Sequence, residues 1–275
     1  MNIEQDLISY WELSSVGATV TDQVGNYDLT RAGPVPVPVE GPGGSGEPTG
    51  VFFDNYATNL SYYYPEKMIH KKVRTVMVWL QLLPTSISVQ PLRLVTASGD
   101  APSYWNFSFQ VFPHDEGMVG ESLRGKLACG LRTQGVGGAA QGHYSGNVVI
   151  ADGDYNWHLV GATYDPPAGT LKWWIDGQLD STTVTAITNP EVGNTISASI
   201  QQKTAFAADW FEYNCFSVGY WNRELTPAEV SWLYNGGNAR YYDQITGLRE
   251  RQRSAENWGF HPELRKWMGH ANDHI

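Results

Sequence analysis

Alternation with a period of two is the feature that most limits what this chain can fold into. In "TVMVWLQLL", Val76, Val78, Leu80 and Leu82 fall on one side of an extended segment. "YWNFSFQVF" sets Trp105, Phe107, Phe109 and Val111 against Asn106, Ser108 and Gln110. "TLKWWIDG" sets Leu171, Trp173 and Ile175 against Lys172 and Trp174. Runs of this kind, bounded by Gly, Pro, Asn and Asp, are half-buried antiparallel strands. Strands with one apolar face need a second sheet to cover it, so the expectation is a sandwich. With 29 Gly and 15 Pro in 275 residues, turns are favoured over long helices. "PVPVPVEGPGGSGEP" (34–48) and "GVGGAAQGHYSGN" (135–147) read as two long surface loops.

One segment changes period. In "VGYWNRELTPAEVSWLYNGG", Val218 and Tyr220 alternate with Gly219 and Trp221, and a helix then begins. Thr226 is a good N-cap, Pro227 suits the first turn, and Glu229 completes a Thr-x-x-Glu capping box. Val230, Leu233 and Tyr234 supply an apolar stripe, and Gly236-Gly237 stops the helix. So short a helix must dock on the sandwich, and covering a rim of the core is its expected task.

The net charge of −10 argues against a nucleic-acid surface, which needs clustered Lys and Arg. No apolar run is long enough for a membrane span, and the first residues, interrupted by Glu4 and Asp6, lack the pattern of a signal peptide. Cys129 and Cys215 form no metal spacing and are expected to be two buried thiols.

Taken together, "LISYWEL", "DQVGNYDLT", "GVFFDNYATNLSY", "RTVMVWLQL", "YNWHLVGATYDPPAGTLKWWIDGQL" and "FSVGYWNRELTPAEVSWLYNGG" resemble the laminin-G-like, or concanavalin A-like, jelly-roll superfamily, in that family's order. The resemblance implies an all-β, two-sheet antiparallel jelly-roll sandwich with one short C-terminal helix, assigned here to residues 1–242; the tail leaves the family's pattern and is read as an extended C-terminal arm, 243–275. It also implies a rim calcium site in many relatives. Asp22, carbonyls near Gly25 and Asn26, and Asp54 are the candidate ligands, but Phe216 stands where many relatives carry an acidic residue. Asp22 and Asn26 read more simply as Asx-turn residues, so no cofactor and no metal ligand is assigned.

The fold hosts many functions, so the site chemistry must decide. Glycanases of this scaffold carry Glu-x-Asp-x-Glu on one strand, and that triplet is missing. No nucleophile elbow, phosphate loop or zinc helix is present. His158 reads as a hydrogen-bonded structural histidine, and His261, His270 and His274 are too scattered for zinc. Candidate glycan-stacking residues are Tyr62, Tyr63 and Tyr64 in "NLSYYYPE" and Trp174, on the polar side of its strand. Beyond the helix, Trp258, Phe260, Leu264, Trp267 and Met268 are large apolar anchors in a segment with five Lys/Arg against four Asp/Glu from residue 248 onward. They form a candidate assembly arm.

No catalytic set, no export pattern and an apolar-basic arm lead to the expectation of a non-enzymatic virion structural or adhesion protein. A bacteriophage decoration, head-fibre or tail-associated subunit fits best, made in the host cytoplasm. Its partners would be other virion or self subunits and surface glycans, with no nucleic acid and no membrane. The alternatives are a carbohydrate-binding lectin-like module, and a glycan hydrolase or lyase whose catalytic residues follow no familiar motif; outside a virion, the location would be cytoplasmic.

Overall fold

The computed structural model describes residues 2–13, 18–25, 27–32, 37–44, 48–54, 61–63, 73–83, 92–98, 105–111, 125–132, 140–147, 150–151, 153–185, 197–200 and 212–246. They form sixteen strands, two α-helices and a 3-10 turn. In chain order the strands are β1 (Leu7–Glu12), β2 (Thr19–Val20), β3 (Leu29–Ala32), β4 (Val37–Glu40), β5 (Pro48–Asp54), β6 (Ser61–Tyr63), β7 (Thr75–Leu82) and β8 (Leu92–Ser98). They continue as β9 (Trp105–Val111), β10 (Leu127–Arg132), β11 (Ala140–Tyr144), β12 (Trp157–Asp165), β13 (Thr170–Ile175), β14 (Gln178–Val184), β15 (Ser197–Ile200) and β16 (Glu212–Trp221). Helix α1 is Pro227–Tyr234, the 3-10 turn is Asn235–Gly237, and α2 is Tyr242–Ile245. The chain divides into two compact units, Met1–Ala239 and Arg240–Ile275, and α2 is the described element of the second.

All pairings are antiparallel and make two eight-stranded sheets. The first runs β14-β13-β12-β7-β16-β5-β4, with β1 also on β16, and the second β11-β10-β9-β8-β15-β6-β3-β2. The architecture is the expected all-β two-sheet sandwich with a short helix after its last strand. Between the sheets lies one core that includes Trp11, Val76, Val78, Leu80, Phe109, Cys129, Val160, Trp173, Tyr213, Cys215 and Tyr220. Both cysteines are free, and burial pushes both thiol pKa values up.

A bulge in β16 controls which side chains reach this core. Before it Tyr213 and Cys215 face inward, and after it Val218 and Tyr220 do. The extra residue between Cys215 and Ser217 flips the parity, so both halves bury their apolar residues and Asn214 is directed to the opposite face.

That opposite, outward face of the first sheet carries a second apolar layer at one end. Met77, Trp79, Leu159, Trp174, Leu225, Val230 and Leu233 are buried, yet none belongs to the inter-sheet core. The roof is α1 and the chain leading into it. Tyr234 stacks on Trp79 at 5.7 Å, and a Cβ on Gly177 would touch Ser231 and Tyr234. The capping box is formed, with the Thr226 hydroxyl accepting from the Glu229 amide. Arg223 fastens the arrangement, donating to both Glu229 carboxylate oxygens and to the carbonyls of Asn2 and Gln5. The helix therefore covers a sheet face rather than a rim. Its left-handed C-cap is Asn235 (φ 51), one residue before the glycines.

The two stretches read as loops each contain a strand. Val37–Glu40 pairs with β5, and Pro38 is tolerated there because β4 is an edge strand whose outer side needs no ladder donor. Ala140–Tyr144 pairs with β10 as the edge of the second sheet.

Candidate functional site

At the end of the first sheet away from α1, the outward face bears a different set of residues. Register places Trp157 opposite Gln81, Gln81 opposite Asn214, Asn214 opposite Phe52, and Phe52 opposite Val37. One row across five strands thus reads aromatic, amide, amide, aromatic, aliphatic. Trp157, Gln81 and Phe52 are half-buried, Val37 is exposed, and Asn214 lies at the floor, 7% exposed.

The amides are held in a chain. Gln81 Nε2 donates to the carbonyl of Tyr155 at 2.7 Å, and its Oε1 accepts from Asn214 Nδ2 at 2.6 Å. Asn214 Oδ1 is buried and accepts no hydrogen bond among the described residues. A buried acceptor without a donor costs about 1–3 kcal/mol; Asn214 Oδ1 is one of several buried side-chain atoms of this kind among the described residues, and it is the one that lies in this row. Trp157 lies close against the sheet, with Cη2 3.2 Å from where a Cβ on Gly50 would stand. Glycine at that position makes room for the indole. Tyr155, on the turn entering β12, is 43% exposed beside the row. Aromatic surface next to fixed amides can stack on an apolar ring face and hydrogen-bond hydroxyls.

The residues singled out from sequence are placed differently. Trp174 is a correction: it is 1% exposed, and its Nε1 donates to Thr163 Oγ1 at 3.0 Å. Its neighbours on the strand are fastened to the roof, Lys172 to Glu224 and the Asp176-Gly177 turn against α1, so no face of the indole is available. Tyr62 and Tyr63 lie in β6 of the second sheet, in register with Ile200 and Ser199. Tyr64 and the arm residues Trp258, Phe260, Leu264, Trp267 and Met268 lie outside the described residues, as do His261, His270 and His274.

His158 is a structural anchor. Nδ1 lies 2.8 Å from Asp176 and Nε2 3.2 Å from Asp154. Burial alone would lower its pKa, but the hydrogen bond and charge of Asp176, with the charge of Asp154, raise it above the ordinary value. Asp176 also accepts from the Leu159 amide, which ties the two-residue β13–β14 turn (φ 48 and 78) to the start of β12. Asp22 makes the Asx turn, its Oδ1 accepting from the amides of Val24 and Tyr10. Asn26 is outside the described residues; among those described, no group of three or more His, Cys, Asp or Glu stands together as metal ligands.

The alternation signal missed the row because two of its members, Gln81 and Asn214, are polar interruptions in strongly apolar strands. Gln81 in "VWLQL" was readable as outward-facing; Asn214 was not, because its facing depends on the bulge.

No protein-family profile matches the sequence, and no curated protein does. Solved structures do. The serotype D botulinum neurotoxin binding domain superposes with a TM-score of 0.58 at 9% identity over 84% of this chain and 52% of that one. The botulinum neurotoxin DC binding domain in complex with SialylT gives 0.60 at 12% identity, over 85% and 52%. The binding domain of Paraclostridial Mosquitocidal Protein 1 gives 0.54 at 12%, over 85% and 53%. The chain spans about half the length of these structures, and at such identities the likeness establishes a shared β-sandwich, jelly-roll-like fold.

Proposed function

We propose that this chain is a lectin-like binding module, of the laminin-G-like or concanavalin A-like kind, which recognises glycan on the outward face of its first sheet. The observation that carries this is the Trp157–Gln81–Asn214–Phe52 row, with its buried, undonated acceptor. The neurotoxin DC binding domain, of similar fold, is found with SialylT and, in another complex, with rat synaptotagmin II, which supports a binding role over a catalytic one. A glycan array tests the reading: selective binding by the full chain should be lost in Trp157→Ala and kept in Leu179→Ala, an exposed change beside the α1 roof. Binding untouched by Trp157→Ala would place recognition elsewhere.

A virion setting, with the 243–275 arm as its assembly contact, remains the proposed context. Peptides of this chain in purified, DNA-containing particles would support it, and their absence there would remove it.

One observation favours a second reading, a retaining glycan hydrolase. Glu212 and Asp54 are directly opposite in register, two residues along their strands from Asn214 and Phe52. Two carboxylates set close together are what retaining glycan hydrolysis requires. Release of reducing ends, abolished in both Glu212→Gln and Asp54→Asn, would establish that reading, and no release would leave the binding module.

A further inference from the structure

Resting on that binding reading, we propose that the row takes an uncharged pyranose residue, stacked on Trp157, and discriminates against sialylated or otherwise acidic glycans. Three features of the face lead there. First, the polar groups of the row are amides, Gln81 and Asn214, which can exchange hydrogen bonds with hydroxyls but supply no charge for a carboxylate. Anion recognition is ordinarily built from Arg or Lys in bidentate or point contacts. Second, among the described residues no Lys or Arg occupies the row or the register positions beside it. On one side stand Leu159 opposite Trp79 and Gly50 opposite Val39; on the other stands Glu212 opposite Asp54. The adjoining register pair is acidic in sequence and the chain's net charge is −10, which disfavours an anionic sugar. Third, Asn214 Oδ1 calls for a donor from outside the described fold, and sugar hydroxyls are donors that stand beside an apolar ring face.

The geometry also assigns parts. Trp157, laid against Gly50, is the platform; half-buried Phe52 stands in the same row, and exposed Tyr155 two residues before Trp157. Gln81 is pinned at both ends by Tyr155 O and Asn214 Nδ2, so its amide plane is set before ligand arrives, which reduces the ordering cost of binding.

The test is titration calorimetry of the full chain against matched oligosaccharides, each neutral and with a terminal sialic acid. The neutral partner should bind at least ten-fold more tightly, and the preference should shrink as salt rises from 50 to 500 mM. Trp157→Ala should weaken neutral binding about 5- to 150-fold, by analogy with base stacking. Tyr155→Ala, an exposed position that leaves the fold intact, should weaken it less. Tighter binding of the sialylated partner overturns the inference while keeping the glycan-binding reading. Absence of binding to every oligosaccharide sinks the reading beneath it. Neutral binding indifferent to both Trp157→Ala and Tyr155→Ala removes this row as the site.

Discussion

Arg223→Ala is the substitution whose cost can be worked most fully from the structure. Its guanidinium donates to Glu229 Oε2 at 2.8 Å and Oε1 at 2.7 Å, and to the carbonyls of Asn2 (3.0 Å), Gln5 (3.0 Å) and Glu224 (3.2 Å). The side chains are 20% and 9% exposed, so this is a largely buried pair. Removing one partner of such a pair typically costs about 3–5 kcal/mol, because the remaining charge stays buried. Here the capping contacts from Thr226 to Glu229 survive, so the lower end applies, about 3 kcal/mol. At roughly 2–4 °C per kcal/mol, the thermal midpoint should fall by about 6–12 °C. Thr226→Ala, which removes only the cap, should cost about 1 kcal/mol. The pH profile gives an independent check. Burial alone would raise the Glu229 pKa, but the Arg223 and Thr226 hydrogen bonds bring it below the ordinary value. A group with a depressed folded pKa contributes stability above its unfolded pKa, near 4.3, and loses it as pH falls through the folded value. Urea midpoints between pH 7 and pH 3 should therefore fall less steeply for Arg223→Ala than for the parent. A midpoint at pH 7 within about 0.5 kcal/mol of the parent would refute the clamp.

The His158 pKa is raised, so its contribution is complete below the unfolded value of about 6.5 and is lost as pH rises through the folded value. Denaturation midpoints should decline between pH 6 and pH 8.5 in the parent and hardly at all in His158→Asn. Gly161→Ala should be among the most damaging small changes, since its Cβ would stand 2.3 Å from Met77 Sδ and 2.5 Å from the Val76 carbonyl oxygen. A loss of about 3 kcal/mol or more by thermal melting is expected, at the upper end for overpacking. Deleting 248–275 should leave a folded sandwich with a nearly unchanged melting point but abolish self- or particle assembly, read by light scattering and particle incorporation. Failure to fold would make the arm part of the domain's core.

Local chemistry carried much of this fold. Val76, Val78, Leu80 and Leu82 announce β7 by alternation, and Thr226, Pro227 and Glu229 announce α1, because caps and strand faces depend on neighbouring residues alone. What depended on remote partners was not legible. Trp174 alternates with inward residues as a surface aromatic would, yet it is buried, and α1, some fifty residues later, packs on the turn that follows it. Val37–Glu40 looks unable to join a ladder until its place at the sheet edge is known. The row from Trp157 to Val37 needs the order of five strands and one bulge before its members meet.

The position of β16 has a consequence for how the chain reaches this state. It pairs with β7 on one side and with β5 and β1 on the other, although it is the last made of the described strands. The Trp221 indole donates to the Ile3 carbonyl, and the Arg223 guanidinium to that of Asn2, across 218 and 221 residues of sequence. Such long-range closure makes for high contact order and slow folding. A chain emerging from the ribosome holds the first sheet as separate parts, β7-β12-β13-β14 and β4-β5, with β1 unpaired. At synthesis rates of about 5–20 residues per second those open edges wait for β16 and are exposed to mispairing in the interval.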